Sequence, residues 1–294
     1  MENLLDSSAP RTAPRNVISF ANVAARYDGG REVLSDVSFN INSHSFYFLT
    51  GASGAGKTTL LRLIYQLHPQ SRGQIKLFGK SMTGMPRDEI ATMRRKMAIV
   101  FQEYSLISHL SVFDNIALPL RVRGTDEAYT KKLVTRTLQW VGLSQYANAQ
   151  PLNMSGGQQQ RVAVARAIIT QPEILLADEP TGNLDDDSAT KLMEMFIQMN
   201  RTFGTAIILA THSQKLLDTY KFPRILVADR RVAFKDGAGR VTTSDAPIIE
   251  TEDATPRKEA PMKSKNYFSD LLEKFTAISG GDSNPEPRTP NPEI

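Results

Sequence analysis

Residues 51–58 read Gly51-Ala52-Ser53-Gly54-Ala55-Gly56-Lys57-Thr58, between an apolar run at 46–49 and a helix-like run at 59–64. A strand, a glycine-rich loop and a helix in this order form the setting of a phosphate-binding loop. The glycines let backbone N–H groups turn toward phosphate oxygens, and a helix beginning near Lys57 adds the positive end of its dipole. Lys57 can reach the terminal phosphates, and the Thr58 hydroxyl can hold Mg²⁺. The chain is therefore predicted to bind a nucleoside triphosphate.

A second motif, at residues 174–179, ends an apolar strand on two carboxylates, Asp178 and Glu179. Ligands of parallel sheets collect at the carboxyl ends of the strands. Asp178 can accept water ligands of Mg²⁺ opposite Thr58, and Glu179 can act as the general base that polarises an attacking water. Alone, such a strand end is more often simply solvated. Because it follows a phosphate loop here, we favour the catalytic interpretation.

A third motif is Ser155-Gly156-Gly157-Gln158, which precedes a helix-like run at 162–168. Ser155 and the glycines are expected to open that helix, so that free N–H groups and the serine hydroxyl form a second anion site. By itself, the motif could equally be a helix cap followed by a flexible turn. Its position between the other two motifs favours the anion site.

The composition describes a globular protein that is not held by disulfides. The chain has 294 residues, of which 40% are hydrophobic and 22% are charged, enough for one large or two ordinary domains. The absence of cysteine excludes disulfides, thiolate metal sites and cysteine nucleophiles. No apolar run approaches the ~20 residues of a spanning helix, and residues 1–16 lack the apolar core of a signal peptide. We therefore expect a cytoplasmic protein.

Three segments are predicted along the chain: a flexible lead at 1–16, a folded body at 17–244 and a mostly disordered tail at 245–294. The tail holds 7 of the 16 prolines and a net charge of −4, which leaves +8 on the rest. A basic body suits nucleotides or an anionic membrane face, but it is equally consistent with a generally basic surface. Apolar residues of the tail recur at helical spacing and predict a short amphipathic helix at 266–277, which either docks on a partner or membrane or packs back on the body.

Within the body, strand and helix patterns alternate. An antiparallel hairpin region is predicted at 17–42, around a turn at 28–30. The remaining strands are expected at 45–50, 75–78, 97–101, 174–177, 206–210, 225–228 and 232–234. Helices are expected at 86–95 and 188–201, and helical periodicity alone fills the segment from about 103 to 170. The fold class is therefore α/β, with a mainly parallel core sheet, an antiparallel β subdomain and a helical subdomain at about 103–170.

With its three motifs in this order, the chain resembles the ATP-binding subunits of ABC (ATP-binding cassette) transporters, over about Val17–Val241. The resemblance implies a P-loop NTPase of ABC type that binds ATP with Mg²⁺ and hydrolyses the ATP. Tyr27 matches the aromatic residue that stacks on adenine, and Gln102 matches the glutamine that senses Mg²⁺ and nucleotide. Asp185 matches the loop that crosses to a second subunit, and His212 matches the switch histidine that contacts the γ-phosphate.

The motifs and the resemblance together give a set of site residues. The catalytic residues are Glu179, His212 and Lys57, and the metal ligands are Thr58, Gln102 and Asp178. The nucleotide-binding residues are Tyr27, Gly51, Ala52, Ser53, Gly54, Ala55, Gly56, Lys57, Thr58, Thr59, Gln102, Ser155, Gly156, Gly157, Gln158 and Asp185.

The resemblance also implies partners. In this family one subunit holds half of each site, which implies a homodimer on ATP binding, with the phosphate loop of one copy facing Ser155–Gln158 of the other. A separate integral membrane subunit is implied as well, which places the chain on the cytoplasmic side of the bacterial inner membrane as a peripheral protein. This chain has one cassette and no sustained heptads. It therefore differs from the cassette ATPases that act on DNA or ribosomes, and we expect no nucleic-acid partner.

Residues 53–57, 112–119, 179–185 and 210–212 further resemble the FtsE branch of the family, the cell-division ATPases. This branch implies an FtsX-like membrane partner and control of cell-wall hydrolases. Residues 179–185 are shared with the lipoprotein-release and macrolide-export branches, so an ATPase of a lipoprotein-release or exporter-type transporter is an alternative. A soluble scaffold that is gated by nucleotide is a second alternative.

Overall fold

The structure, a computed structural model, describes residues 15–101, 104–182 and 184–242. Within these residues the chain forms two compact units. One comprises the residues up to Ser105 together with those from Thr170 onward, and the other comprises Leu106–Ile169. The predicted tail at 245–294, including the amphipathic helix at 266–277, lies outside the described residues, as do Gln102 and Asn183. The first strand begins at Asn16, the last residue of the predicted lead.

The first unit contains eleven strands and four helices among its described residues. The strands are β1 (Asn16–Arg26), β2 (Glu32–Asn42), β3 (Phe46–Thr50), β4 (Arg72–Leu77), β5 (Lys80–Ser81), β6 (Met97–Val100), β7 (Ile174–Asp178), β8 (Ala206–Ala210), β9 (Arg224–Ala228), β10 (Arg231–Lys235) and β11 (Val241–Thr242). The helices are α1 (Lys57–Ile64), α2 (Arg87–Arg95), α6 (Asp186–Phe203) and α7 (Gln214–Tyr220). In the second unit lie α3 (Val112–Val122), α4 (Glu127–Trp140) and α5 (Gly156–Ile168).

Two sheets organise the first unit. The smaller sheet has the order β2-β1-β4-β5 and is antiparallel throughout. The larger sheet has the order β11-β10-β9-β3-β8-β7-β6. Its strands from β9 to β6 run parallel, and β10 and β11 extend it in antiparallel fashion. The predicted α/β class, with a mainly parallel sheet, an antiparallel sheet and a set of helices, is confirmed.

The central strands of the larger sheet are buried, which explains why they are continuous apolar runs in the sequence. Every residue of β7 and β8 is buried, as expected of parallel strands that are covered on both faces. Leu60, Leu61 and Leu63 of α1 are buried in the same apolar core as residues of β7 and β8. Each fully buried side chain of this size contributes roughly 1.5–3 kcal/mol. This rigid centre holds the strand ends on which the site is built.

Three elements were not predicted: α7, β5 and β11. Helix α7 is seven residues long and buries only Leu216 and Leu217, too few positions to show a period. The strands β5 and β11 have two residues each.

The second unit consists of α3, α4 and α5 with two short 3-10 helices at Ser144–Tyr146 and Pro151–Asn153. Each of its three α-helices begins at a side chain that accepts a backbone N–H: Ser111 for α3, Asp126 for α4 and Ser155 for α5. Such caps satisfy N–H groups that the first helical turn leaves without partners. The described residues of this unit form helices and no strand.

Candidate nucleotide-binding site

The predicted phosphate loop connects β3 to α1. Gly51, Gly54 and Gly56 have φ angles of 147°, 75° and 109°, a region that residues with a Cβ atom rarely adopt. Gly56 is the N-cap of α1 and offers no side chain, so no side chain caps the first N–H groups of this helix. An uncapped helix end with inward-turned N–H groups is the structural basis of phosphate binding at such loops. The predicted order of strand, glycine-rich loop and helix is therefore present, and the helix begins at Lys57.

The Lys57 ammonium lies over its own loop. Its Nζ atom donates hydrogen bonds to the carbonyl oxygens of Gly51 at 2.9 Å and Ala52 at 3.0 Å. These hydrogen bonds tie the Lys57 side chain to the backbone of the loop that precedes it. A phosphate that binds to Lys57 must take over part of this coordination, because an ammonium has only three donors.

Thr58 and Asp178 meet where α1 begins and β7 ends. The Thr58 hydroxyl donates to Oδ2 of Asp178 at 2.8 Å, and Asp178 is only 6% exposed. No group of three or more His, Asp or Glu side chains that could hold a metal occurs among the described residues. A metal at Thr58 and Asp178 would therefore rely on other oxygen ligands. This suits Mg²⁺, which is usually held by one or two carboxylates together with substrate phosphates and waters.

The next residue, Glu179, points to a different partner. One of its carboxylate oxygens lies 3.1 Å from Nδ1 of His212, which follows β8. The Glu179 side chain is 22% exposed, while that of His212 is 72% exposed. The backbone of Glu179 has a φ angle of 49°, and its N–H donates to the carbonyl of Ala210 at 3.0 Å. For a glutamate, this left-handed conformation costs roughly 1–2 kcal/mol. The two adjacent carboxylates have different partners: Asp178 contacts Thr58, and Glu179 contacts His212.

Two cavities adjoin these groups. A cavity of about 520 Å³ is lined by Thr58 and Asp178 together with Tyr27 and His68. A second, of about 390 Å³, is lined by Glu179, His212 and the beginnings of α6 and α7. Volumes of this size are typical of small-molecule sites. The first cavity joins the Thr58–Asp178 pair to the predicted adenine-stacking residue.

Tyr27 is 37% exposed, and its ring contacts a residue that the sequence analysis did not select. The His68 imidazole stacks on the Tyr27 ring with the ring centroids 4.2 Å apart and an interplanar angle of 27°. The Tyr27 hydroxyl also lies 3.2 Å from Oγ1 of Thr59 in α1. His68 is one of four histidines in the chain, and nothing in the local sequence distinguishes it.

Asp185 caps α6 in the structure. Its carboxylate accepts the Ser188 N–H at 2.8 Å and the Ser188 hydroxyl at 2.9 Å. These hydrogen bonds, the backbone one foremost, lower the pKa of Asp185 below its usual value. The adjacent residue, Asp186, forms an ion pair with Lys215 at the start of α7, at 2.5 Å. The sequence predicted neither the helix cap nor the ion pair, although aspartate is one of the residues preferred at helix N-caps.

In the second unit, Ser155 and Gln158 form a capping box. The Ser155 hydroxyl accepts the Gln158 N–H at 3.3 Å, and the Gln158 side-chain oxygen accepts the Ser155 N–H at 2.9 Å. The prediction that Ser155 opens a helix is confirmed, since α5 begins at Gly156. The glycines at 156 and 157 leave the end of α5 free of bulky side chains.

The first unit thus gathers a glycine-rich loop, the Thr58–Asp178 pair and the Glu179–His212 pair at the carboxyl ends of β3, β7 and β8. The Tyr27 ring lines the same cavity as Thr58 and Asp178. A profile of the ABC transporter family matches residues 34–182. The chain belongs to the ABC transporter family, as an ATPase of the ATP-binding cassette type.

Particular relatives are cell-division proteins. The chain is 38% identical to the cell division ATP-binding protein FtsE of Escherichia coli strain K12, over 72% of this chain and 96% of that protein. It is 35% identical to the protein of the same name from Bacillus subtilis strain 168, over 78% of this chain and the whole of that protein.

A solved structure is also similar. The ATP-binding cassette MJ0796, as a dimer in a post-hydrolysis state bound to ADP and Pi, superposes with a TM-score of 0.69 at 31% identity. The match covers 74% of this chain and 98% of that one. A second dimeric structure of MJ0796, described as a bacterial ABC transporter cassette, gives a TM-score of 0.70.

Proposed function

We propose that this chain hydrolyses ATP with Mg²⁺ at the site of the first unit, with Glu179 as general base. The observation that carries the proposal is the pairing of Thr58 with Asp178 and of Glu179 with His212 beside the phosphate loop. The loop residues 51–56, with Thr59, cradle the phosphates, and Lys57 binds the terminal ones. Glu179 removes the proton of the attacking water, and His212 contacts the γ-phosphate and orients the glutamate.

The ligands proposed for Mg²⁺ fit the ion. Thr58 and Asp178 offer two oxygen atoms 2.8 Å apart, close to the ~3 Å between neighbouring ligands of an octahedral ion with bonds of 2.0–2.1 Å. Gln102, which follows β6 in the sequence and lies outside the described residues, is proposed as a third ligand. When bound, Mg²⁺ neutralises charge on the phosphate oxygens.

We also propose that two copies close on ATP, and the dimeric structures of MJ0796 support the pairing of two copies. Residues Ser155–Gln158 of one copy then face the γ-phosphate at the phosphate loop of the other, and the loop at Asp185 lies at the seam. The exposed start of α5 supports this role, because an N-terminal helix end attracts phosphate through its N–H groups and its dipole. Tyr27 stacks on the adenine of the same copy.

The cellular role that we propose is that of FtsE: ATP-driven closure acting on an FtsX-like integral membrane partner, from the cytoplasmic face of the bacterial inner membrane, to control cell-wall hydrolases. The similarity to two FtsE proteins over almost their whole length supports this role. In the described part of the chain, no helix combines the length and the apolar character needed to span a bilayer. A transport ATPase is the second candidate, because MJ0796 is described as a transporter cassette.

The first test is Glu179→Gln, which keeps the shape of the side chain and removes the base. We expect ATP hydrolysis to fall about 10²–10⁴-fold, the usual worth of a general base, while ATP binding persists. Glu89→Gln is the matched control, since Glu89 lies exposed on α2. Phosphate release from the purified complex with the membrane partner measures the rate. Near-normal hydrolysis by Glu179→Gln would refute the role of this residue.

The second test examines dimerisation in the Glu179→Gln background by light scattering with Mg-ATP. Ser155→Asp and Ser155→Asn both keep an N-cap for α5, but the aspartate places a negative charge where the γ-phosphate of the other copy is expected. We expect the aspartate variant to stay monomeric and the asparagine variant to dimerise. Equal behaviour of the two variants would argue against this contact. Co-purification with an FtsX-like four-span protein, instead of a subunit with a lipoprotein-binding domain, separates the two cellular roles.

A further inference from the structure

We propose that His68 is a positioning residue for the nucleobase: its imidazole covers one face of the Tyr27 ring and holds the opposite face ready for the purine. This inference rests on the proposed function, because it takes Tyr27 as the residue on which the base stacks. Neither the motifs nor the family resemblance assigns a role to His68.

The rings of His68 and Tyr27 are in direct contact. Their centroids lie 4.2 Å apart at an interplanar angle of 27°, which is a stacked arrangement of the kind that aromatic pairs favour. Nε2 of His68 also lies 3.0 Å from the carbonyl oxygen of Arg26. Since a carbonyl oxygen can only accept, Nε2 carries the proton in this hydrogen bond. His68 is therefore tied both to the Tyr27 ring and to the main chain immediately before it.

A third contact fixes the far end of the tyrosine. The Tyr27 hydroxyl lies 3.2 Å from Oγ1 of Thr59 in α1. The ring is thus held by His68 on one face and by Thr59 at its tip. Tyrosine has only two rotatable side-chain bonds, and these contacts restrict both of them. A base that stacks on Tyr27 does not have to order the ring first, which lowers the entropic cost of binding.

Tyr27 lines the cavity that also contains the pair proposed to bind the metal, Thr58 and Asp178. Tyr27 keeps 37% of its surface exposed although His68 covers one face. Both rings line the cavity of about 520 Å³ together with Thr58 and Asp178. Leu67 also lines this cavity and is 47% exposed. Apolar surface and a fixed ring therefore lie in the same cavity as the groups proposed to hold the phosphates and Mg²⁺.

The test compares ATP with inorganic tripolyphosphate, which has the phosphates but no base. For His68→Ala we expect ATP affinity to fall about 2- to 10-fold, the range of one aromatic pair, and tripolyphosphate affinity to stay unchanged. GTP should lose affinity by a similar factor, because stacking uses the face of a base and not its edge. Isothermal titration of the full chain measures all three ligands. His109→Ala is the matched control, since His109 is an exposed histidine of the second unit.

Two further variants separate a ring contact from a loss of folding. His68→Phe restores a stacking ring, so its ATP affinity should return to within about twofold of the wild type. In a Tyr27→Ala background, His68→Ala should have no additional effect, because a residue that acts only through Tyr27 is fully coupled to it. Additive losses, or a phenylalanine variant no better than alanine, would overturn the proposal.

The remaining outcomes are equally decisive. A weaker affinity for tripolyphosphate in His68→Ala would show damage to the phosphate loop instead of to base recognition. Tighter ATP binding would show that His68 occupies the face that the base needs. If Tyr27→Ala binds ATP normally, the proposed role of Tyr27 is itself wrong. If Tyr27→Ala weakens ATP and His68→Ala does not, the inference about His68 fails alone.

Discussion

Gly51 tests how tightly the phosphate loop is fixed by the sheet beneath it. A Cβ atom at this position would lie 2.4 Å from the carbonyl oxygen of Val227, the fourth residue of β9. To reach ordinary van der Waals contact, the two atoms must separate by about 1 Å. Val227 is 0% exposed and is held in the core, so the loop must move. We therefore expect Gly51→Ala to displace the loop away from β9.

The displacement should affect catalysis more than folding. A misplacement of about 1 Å can cost about 100-fold in rate, even where no chemical group is lost. The carbonyl of Gly51 also accepts a hydrogen bond from Lys57, so the shift moves this ammonium too. Phosphate release, measured as a function of ATP concentration, should show kcat/KM reduced about 100-fold. Titration with a fluorescent ATP analogue should show weaker binding.

Gly79 provides the matched control. It lies between β4 and β5 with a φ angle of 79°, and a Cβ atom there would have no neighbour within 4 Å. Gly79→Ala carries the left-handed backbone cost alone, roughly 1 kcal/mol after the gain from a stiffer unfolded chain. This cost corresponds to about 2–4 °C in Tm, with turnover unchanged. If Gly51→Ala retained normal turnover, or if Gly79→Ala impaired it equally, the clash with Val227 would not be what fixes the loop.

Two further predictions concern the second unit. The Asn115 side chain is fully buried; it accepts the Ile107 N–H at 2.8 Å and donates to the carbonyls of Ile107, Leu110 and Ser111. Asn115→Ala should therefore lower the free energy of unfolding by roughly 2–4 kcal/mol, measured by urea unfolding. A decrease below about 1 kcal/mol would contradict this. Hydrogen bonds from Ser111, and to a smaller extent from the Arg121 guanidinium, lower the pKa of Asp114. The Asp114 carboxylate should therefore stabilise the fold above its unfolded pKa near 4, and this stabilisation should be lost as the pH falls through the lower folded pKa. The difference in unfolding free energy between the wild type and Asp114→Asn should accordingly shrink on acidification.

The parts of the fold that the sequence predicted are those with a strong local signal. Strands β7 and β8 were recognisable because burial on both faces makes every residue apolar. Helix α5 was recognisable because its cap residue, Ser155, belongs to a motif. Helix α7 was missed because a seven-residue helix with two buried positions has too few turns to show a period. Prediction from local sequence patterns fails where a short element is stabilised mainly by contacts with the rest of the fold.

The site divides in the same way. Motif spacing predicted Lys57, Thr58, Asp178 and Glu179 as site residues, since each occupies a fixed place next to a strand or loop. The contact of His68 with Tyr27 joins residues 41 positions apart through a stack of rings, which no spacing rule encodes. The left-handed backbone of Glu179 was equally hidden, because glutamate is not a residue type that favours φ near 49°. Both features depend on tertiary packing.

Several polar groups among the described site residues have a partner within their own chain. Lys57 donates to two loop carbonyls, Thr58 to Asp178, and one oxygen of Glu179 lies beside His212. Asp185 likewise accepts from Ser188. Leaving such groups without partners would cost about 1–3 kcal/mol each when they are buried. Binding of a phosphate or of a second copy, as proposed above, would therefore exchange one set of partners for another.

This exchange has a consequence for how the ATPase would switch. A typical hydrogen bond contributes only about 0.5–1.5 kcal/mol net, so replacing Asp178 or a loop carbonyl by a ligand oxygen changes the free energy little for each bond. The charge of the nucleotide and the stacking of its base must then supply most of the difference between the open and closed forms. Loss of the γ-phosphate would remove the part of that charge that the proposed function places next to Lys57. Lys57 can then return to the carbonyls of Gly51 and Ala52, and Thr58 can return to Asp178. The two copies can therefore separate after hydrolysis without leaving these polar groups buried and unpaired.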